Sequence, residues 1–248
     1  DTLESETLVS YDANKLAEKI DALDCMQEEN QIAPENATVA PYDKENGFAL
    51  QPCVMGTTID RDQFVAAADE AIEQLQDSLS LEKADVYVNP TVYDDDETLA
   101  AAIETMNGYA GTTINYQIGE STEVLDATTF GEWISINKKG KPVISKKKVE
   151  EYVAGLAKKY NTCYTAKKLK TSYGKTVTIA RSCYGWKVDN DAETKEIIGE
   201  IKAGKPVTRD LNYSMTANSH EGNDYGDSYV EINLTAQHLF LYKEGKQV

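Results

Sequence analysis

The order of elements repeats once along the chain, and that repeat limits what it can fold into. In the first half, an amphipathic stretch over 12–24 ends at Cys25 and a strand-like run over 47–53 ends at Cys53. Gly56-Thr-Thr-Ile-Asp60 follows and leads into a second helical stretch. In the second half, a helical stretch over 146–160 is followed by Cys163, and a strand-like run over 175–183 ends at Cys183. Gly185-Trp-Lys-Val-Asp189 and another helical stretch complete it. Both halves read helix, Cys, strand, Cys, Gly-x-x-[Ile/Val]-Asp, helix. Cys53 lies three residues before its glycine and Cys183 two, an offset that a bulge must absorb if both face the same way. The boundary between repeats falls at Asn107-Gly-Tyr-Ala-Gly111.

Apolar spacing fills in the elements. Leu16, Ile20 and Leu23 share one stripe, as do Phe64, Ala68, Ala71, Ile72 and Leu75 over 61–77. Asp60 and Gln63 fit a capping pair, and Asn190 with Glu193 fits another ahead of a helix over 191–202. Further helices are predicted over 97–107 and 127–136. Strands are predicted over 84–88, 112–118, 141–144 and 205–213. The last residues read as a hairpin, with Val230, Ile232 and Leu234 alternating with polar residues before the run Leu239–Tyr242. Helices and short strands mix throughout, which predicts an α+β fold of two tandem helix/sheet repeats, 1–108 and 109–218, with a terminal β-hairpin in 219–248.

Charge divides the same way. Residues 1–107 hold 25 acids and 5 bases, and residues 108–248 hold 17 acids and 20 bases, so the net charge of −17 resides in the first half. So acidic a field repels phosphates and argues against nucleic acid as a partner. No apolar run approaches the ~20 residues that span a bilayer. A start at Asp1 with no signal-like stretch reads as a trimmed chain whose membrane anchor has been removed.

Few residues offer chemistry. Two histidines, His220 and His238, leave little material for a His-based metal site or a Ser-His-Asp triad. No metal site and no cofactor are expected. No P-loop, Gly-x-Ser-x-Gly, GxGxxG or HExxH occurs. The acidic run Asp94–Glu97 lacks the glycine of a calcium loop and reads as a helix start. Cysteines at equivalent places in both repeats suit an exported protein, so Cys25–Cys53 and Cys163–Cys183 disulfides are expected. Four separate buried thiols are the alternative. Trp133, Tyr173, Tyr184 and Trp186 are candidate glycan contacts, although Trp133 lies on the apolar stripe of its helix. Residues 138–175 carry 12 lysines, which either stay solvated, face the acidic first half, or attract anionic polymers such as teichoic acids. Asn36, Asn212 and Asn233 stand in Asn-x-Ser/Thr triplets.

The tail Tyr229-Val-Glu-Ile-Asn-Leu-Thr-Ala-Gln-His-Leu-Phe-Leu-Tyr-Lys-Glu-Gly245 resembles the opening hairpin of the YkuD-type L,D-transpeptidase domain. Ser182-Cys-Tyr-Gly-Trp-Lys-Val-Asp189, with Glu193, Ile201 and Gly204, resembles the peptidoglycan-binding domain that precedes it in Gram-positive bacteria. Gly56–Asp60 and Tyr87-Val-Asn-Pro90 look like the same domain. Related repeats also precede VanW-type domains. The resemblance implies an extracytoplasmic, membrane-anchored parent that cross-links peptidoglycan through a cysteine acyl-enzyme. That family's nucleophile lies in a late Ser-x-Gly-Cys segment, which has no counterpart here, and His238 sits in the opening hairpin rather than at the catalytic histidine. The chain itself is therefore expected to be non-catalytic and to bind or space the enzyme on peptidoglycan or another cell-wall polymer. A structural stalk without a ligand and an enzyme with an unrecognised site are the other readings.

Overall fold

A computed structural model describes residues 10–180 and 182–248. These form two compact units, one of residues up to Ala40 with Leu50–Ala100, the other of Pro41–Ala49 with Ala101–Val248. The protein is α+β, with six α-helices and several small sheets among the described residues.

The first unit starts with α1 (Ala13–Asp21), capped by the Asp12 carboxylate, which accepts from the amides of Asn14 and Lys15. The helix stops at Asp21, so Leu23, expected on its apolar stripe, is exposed. β1 (Thr38–Val39) and β2 (Leu50–Gln51) pair antiparallel. α2 (Arg61–Glu73) is capped by Asp60, whose carboxylate accepts from the amides of Asp62 and Gln63 and from the Gln63 side chain. The reciprocal bond of a capping box is replaced, because the Asp60 amide donates to the Val86 carbonyl. It ends earlier than the predicted 61–77, because Leu75 turns left-handed (φ 54°) and stays exposed. Ile20, Ile59, Phe64 and Val86 form the core, with Leu16 and Cys25 against it. The predicted strand over 84–88 shortens to one bridge, Ile59 to Tyr87. α3 (Glu97–Ala110) begins in this unit with the Asp96 carboxylate on the Leu99 amide, the helix start read from the acidic run.

The second unit is built on β3 (Thr113–Ile118) and β4 (Ser121–Asp126), which pair antiparallel. Alternate residues of β3 point one way, so Ile114, Tyr116 and Ile118 are all buried. α4 (Ala127–Phe130) is only one turn. The predicted helix over 127–136 continues as a 3₁₀ turn and then as β5 (Ile134–Ile136), which pairs with β6 (Pro142–Ile144). α5 (Lys146–Tyr160) buries Val149, Val153 and Leu156. β7 (Lys167–Lys170) and β8 (Thr176–Ile179) make an antiparallel ribbon. β9 (Lys187–Val188) leads into α6 (Asn190–Ala203), which lies against α5. β10 (Val207–Arg209) joins β3 in parallel, giving the sheet order β10-β3-β4. β11 (Tyr213–Met215) pairs antiparallel with β9. The segment 41–49 belongs here because Asn107 of α3 accepts from the Phe48 amide and donates to its carbonyl, both at 2.8 Å.

The terminal hairpin forms as β12 (Tyr229–Asn233) and β13 (His238–Lys243), extended by β14 (Lys246–Gln247). One face docks onto the β7–β8 turn, where the Ser172 amide and hydroxyl donate to Glu231 at 2.9 and 2.7 Å. On the other face, Val230 pairs with Leu241 and Ile232 with Leu239, and all four are exposed.

α6 carries a correction to its expected cap. The side chain that caps it is Asp189, accepting from the Ala192 amide, rather than Asn190. Glu193 is not a capping partner but a core residue with 0% exposure. It shares the buried helix face with Ile197 and Ile201, one turn apart each. Its carboxylate accepts from Tyr116 at 2.7 Å, from Arg209 at 2.8 and 3.0 Å, and from the Asn212 amide and side chain at 2.8 and 2.9 Å. Arg209 also clamps Glu200 with two bonds of 2.8 and 2.9 Å. Burial works against the Arg209 charge, but the bonds to Glu200 and Glu193 outweigh it and hold the guanidinium firmly ionised. Burial, then the Glu193 charge, pushes the Tyr116 hydroxyl far above its ordinary range.

Candidate functional site

The repeated Gly-x-x-[Ile/Val]-Asp motif ends alike in both units, with a bridge and then a cap, while its glycines differ in backbone angle. Gly56 (φ 73°) and Gly185 (φ 147°) hold backbone that side-chain-bearing residues rarely adopt. A Cβ on Gly56 would lie 2.5 Å from the Ile32 carbonyl oxygen, and one on Gly185 2.5 Å from the Cys163 amide nitrogen. The fourth residue bridges antiparallel to a later tyrosine, Ile59 to Tyr87 and Val188 to Tyr213. The aspartate then caps the next helix. The second unit differs in placing Trp186 where the first has Thr57.

That tryptophan is the centre of an aromatic cluster. Its amide donates to the Thr162 hydroxyl at 2.9 Å, and its carbonyl accepts from the amides of Thr162 and Cys163. Its indole N–H donates to the Ser219 carbonyl at 2.7 Å. The His220 ring stacks on it at 3.6 Å and 10°, and Tyr213 tilts against it at 4.7 Å. Tyr213 donates to Asp210 at 2.8 Å, and burial, then that bond, raises its hydroxyl well above the ordinary value. His220 Nε2 faces the other Asp210 oxygen at 3.8 Å. Tyr184, exposed, accepts from the Asn218 amide at 2.8 Å. Beside the cluster lies an open cleft of about 520 Å³, lined by Ile118, Glu120, Lys159, Thr162, His220 and Glu221. Lys159 and Tyr160 both donate to Glu123, and these bonds, Lys159's first, hold its carboxyl below the usual range. The surface can stack against a sugar ring at Tyr184 and hydrogen-bond in the cleft.

Of the four aromatic candidates, Tyr184 and Trp186 hold neighbouring residues of one loop, Asn218 and Ser219. Trp133 lies elsewhere, 9% exposed and packed on Phe130 and Tyr152. Tyr173 sits at the β7–β8 turn, edge-on to Phe240 at 5.4 Å. The expected disulfides are absent, and all four cysteines are free thiols. Cys25 packs on the first unit's core, whereas Cys53 faces Asp94. Burial, then the hydrogen bond to Asp94, raises the Cys53 thiol above its ordinary value. Cys163 is buried while Cys183 is exposed. His220 is committed to Trp186, and His238 packs against Phe240 at 4.6 Å. Among the described residues no group of His, Cys, Asp and Glu is arranged to hold a metal ion, and no helix is long and apolar enough to cross a membrane.

Tyr213, His220 and Asp210 were not singled out from sequence. Tyr213 could have been, because it stands to Val188 as Tyr87 stands to Ile59.

No curated protein matches the chain. Two solved structures are similar to it. The Ldtfm–avibactam carbamoyl enzyme is 29% identical, with 60% of this chain and 58% of that one covered and a TM-score of 0.47. A cysteine-to-serine mutant of the Enterococcus faecium L,D-transpeptidase is 29% identical, with 58% of each chain covered and a TM-score of 0.46. The chain thus aligns with 58% of the length of either structure. Residues 95–209, which hold Trp186 and the Glu193–Arg209 network, match the family model described as "Putative peptidoglycan binding domain".

Proposed function

We propose that this chain is a non-catalytic, extracytoplasmic region of a cell-wall L,D-transpeptidase that holds or spaces the enzyme on peptidoglycan. The match over residues 95–209 carries this reading. Residues 1–108 and 109–218 are its two repeats, and 219–248 open the catalytic domain. The exposed row Val230, Ile232, Leu239 and Leu241 supports the last point, because a sheet face of this kind is ordinarily covered. Tyr184 and the cleft lined by Thr162 and His220 are the proposed glycan contacts.

The test is co-sedimentation with purified sacculi. Wild-type protein is expected in the pellet at low salt, and Tyr184→Ala is expected to reduce the bound fraction several-fold, in keeping with ~1 kcal/mol for one exposed stacking contact. Folded protein that stays in the supernatant would establish the stalk reading. One observation favours that alternative: His220 already covers a face of Trp186 and takes it from any ligand.

Catalytic silence is a separate expectation. A cysteine transpeptidase needs a thiolate, a base within hydrogen-bond reach and an oxyanion site. Cys53 is held as a thiol beside a carboxylate, and His220 is stacked on an indole. Incubation with a carbapenem is expected to leave the intact mass unchanged. A covalent adduct on Cys25, Cys53, Cys163 or Cys183 would overturn it.

A further inference from the structure

The lysines of residues 138–175 are not equivalent. On α5, Lys146 pairs with Glu150, Lys147 with Glu151 and Lys159 with Glu123, and Lys148 donates to the Glu132 carbonyl, so four of its five lysines have partners and Lys158 has none among the described residues. The β7–β8 ribbon is different. Between Asn161 and Val188 the sequence contains no acid and six bases. The ribbon's register divides its side chains between two faces. One face carries Lys167, Leu169, Val177 and Ile179; its β7 residues meet the rest of the fold, while Val177 and Ile179 are exposed. Lys167, nearly buried, pairs with Asp224 and donates to the Thr162 carbonyl, and Leu169 is partly buried. The turn is tied down separately, by Ser172 on Glu231 and Tyr173 on Phe240.

The opposite face consists of Lys168 across from Thr178 and Lys170 across from Thr176. All four are exposed, and among the described residues no acidic side chain pairs with either lysine. Two ammonium groups thus stand two residues apart on one strand, roughly 7 Å, each with a hydroxyl on the neighbouring strand. An ammonium and a hydroxyl side by side give one oxyanion a charge and a second donor. The 7 Å step repeats that arrangement along a straight line. Exposed β7–β8 positions are not required by the core, yet they carry cations, in the half of the chain where 20 bases outnumber 17 acids.

We propose that this outer face is a docking strip for a linear polyanion, with phosphate or carboxylate groups along an extended backbone. It goes beyond the glycan reading and does not depend on it.

The experiment compares wild-type protein, Lys168→Glu/Lys170→Glu, and Lys146→Glu/Lys147→Glu, which carries the same charge change on α5. Each is measured on immobilised inorganic polyphosphate, on polygalacturonate, and on sacculi before and after removal of their anionic polymers. Wild type is expected to bind the polyanions and to elute as salt rises. The ribbon variant is expected to lose roughly tenfold in affinity, two exposed charge contacts at ordinary strength, with an unchanged melting curve. The α5 variant is expected to keep wild-type affinity within twofold. Polyphosphate against polygalacturonate tells which anion is preferred. Equal loss in both variants, or none in the ribbon variant, would overturn the strip. Stripped sacculi that retain wild type and ribbon variant alike would leave the glycan reading standing by itself. Stripped sacculi that retain neither would end that reading and leave the polyanion result untouched.

Discussion

Replacing Arg209 by methionine is expected to lower the melting temperature of the second unit by roughly 10 °C, the equivalent of about 3–5 kcal/mol for breaking a buried pair on one side. Methionine keeps much of the aliphatic volume, so the loss isolates the guanidinium. That group makes two bonds to Glu193, two to Glu200 and one to the Asp210 carbonyl, with its Cζ 4.9 Å from the Tyr116 ring centre. Without it, Glu193 keeps Tyr116 and Asn212 as donors but no counter-charge, at 0% exposure. The first unit shows the apolar solution to the same site. Phe64 stands four residues after its capping Asp60, as Glu193 stands four after Asp189. Val86, whose carbonyl accepts from Asp60, stands where Asn212 accepts from Asp189. Phe64 and Val86 are both buried. The double variant Glu193→Gln/Arg209→Met keeps an acceptor for Tyr116 and removes the stranded charge. It is expected to recover at least half of the lost melting temperature, as followed by circular dichroism. A single variant that melts within ~2 °C of wild type would show that the guanidinium supports nothing.

This network also marks the limit of what the residues disclosed. The α+β class, both Gly-x-x-[Ile/Val]-Asp motifs and the terminal hairpin follow from local signals: a capping aspartate, a glycine at a forced turn, strict alternation over Val230–Leu234. Glu193 fits a capping partner in sequence because it stands three residues after Asn190. Yet it lies four and eight residues before Ile197 and Ile201, on the face that turns inward. An acid on an apolar stripe calls for a buried cation, and Arg209 reaches it from the strand after the helix. Helix ends were overextended where the chain turns left-handed, at Leu75. The stretch 127–136 failed for another reason. Its Phe130, Trp133 and Ile134 spacing suits a helix, but Ile134 is buried in a strand whose pairing with Pro142–Ile144 no local pattern records. The same holds for the aromatic site. Trp186 was visible, whereas the ring that covers it, His220, arrives from 34 positions further on through a loop with no periodicity.

Alanine at Gly185 is expected to cost about 3 kcal/mol or more, against about 1 kcal/mol for alanine at Gly174. Both glycines have positive φ, 147° and 77°, so both substitutions carry backbone strain. Only Gly185 adds a collision. Its Cβ would stand 2.5 Å from the Cys163 amide nitrogen and 2.8 Å from the Thr162 carbonyl carbon, whereas a Cβ at Gly174 meets nothing within 4 Å. The obstructing atoms are backbone and cannot rotate away. Moving them breaks the bonds from the Thr162 and Cys163 amides to the Trp186 carbonyl. The indole would then leave its place beside Ser219 and His220, so tryptophan fluorescence should shift in the Gly185→Ala protein before it unfolds. Equal melting temperatures for the two variants would sink the steric argument. Sacculus binding below the melting transition separates the two functional readings. A glycan-binding module loses retention with the displaced cluster, because Tyr184 adjoins the moved glycine. A stalk loses stability and nothing else.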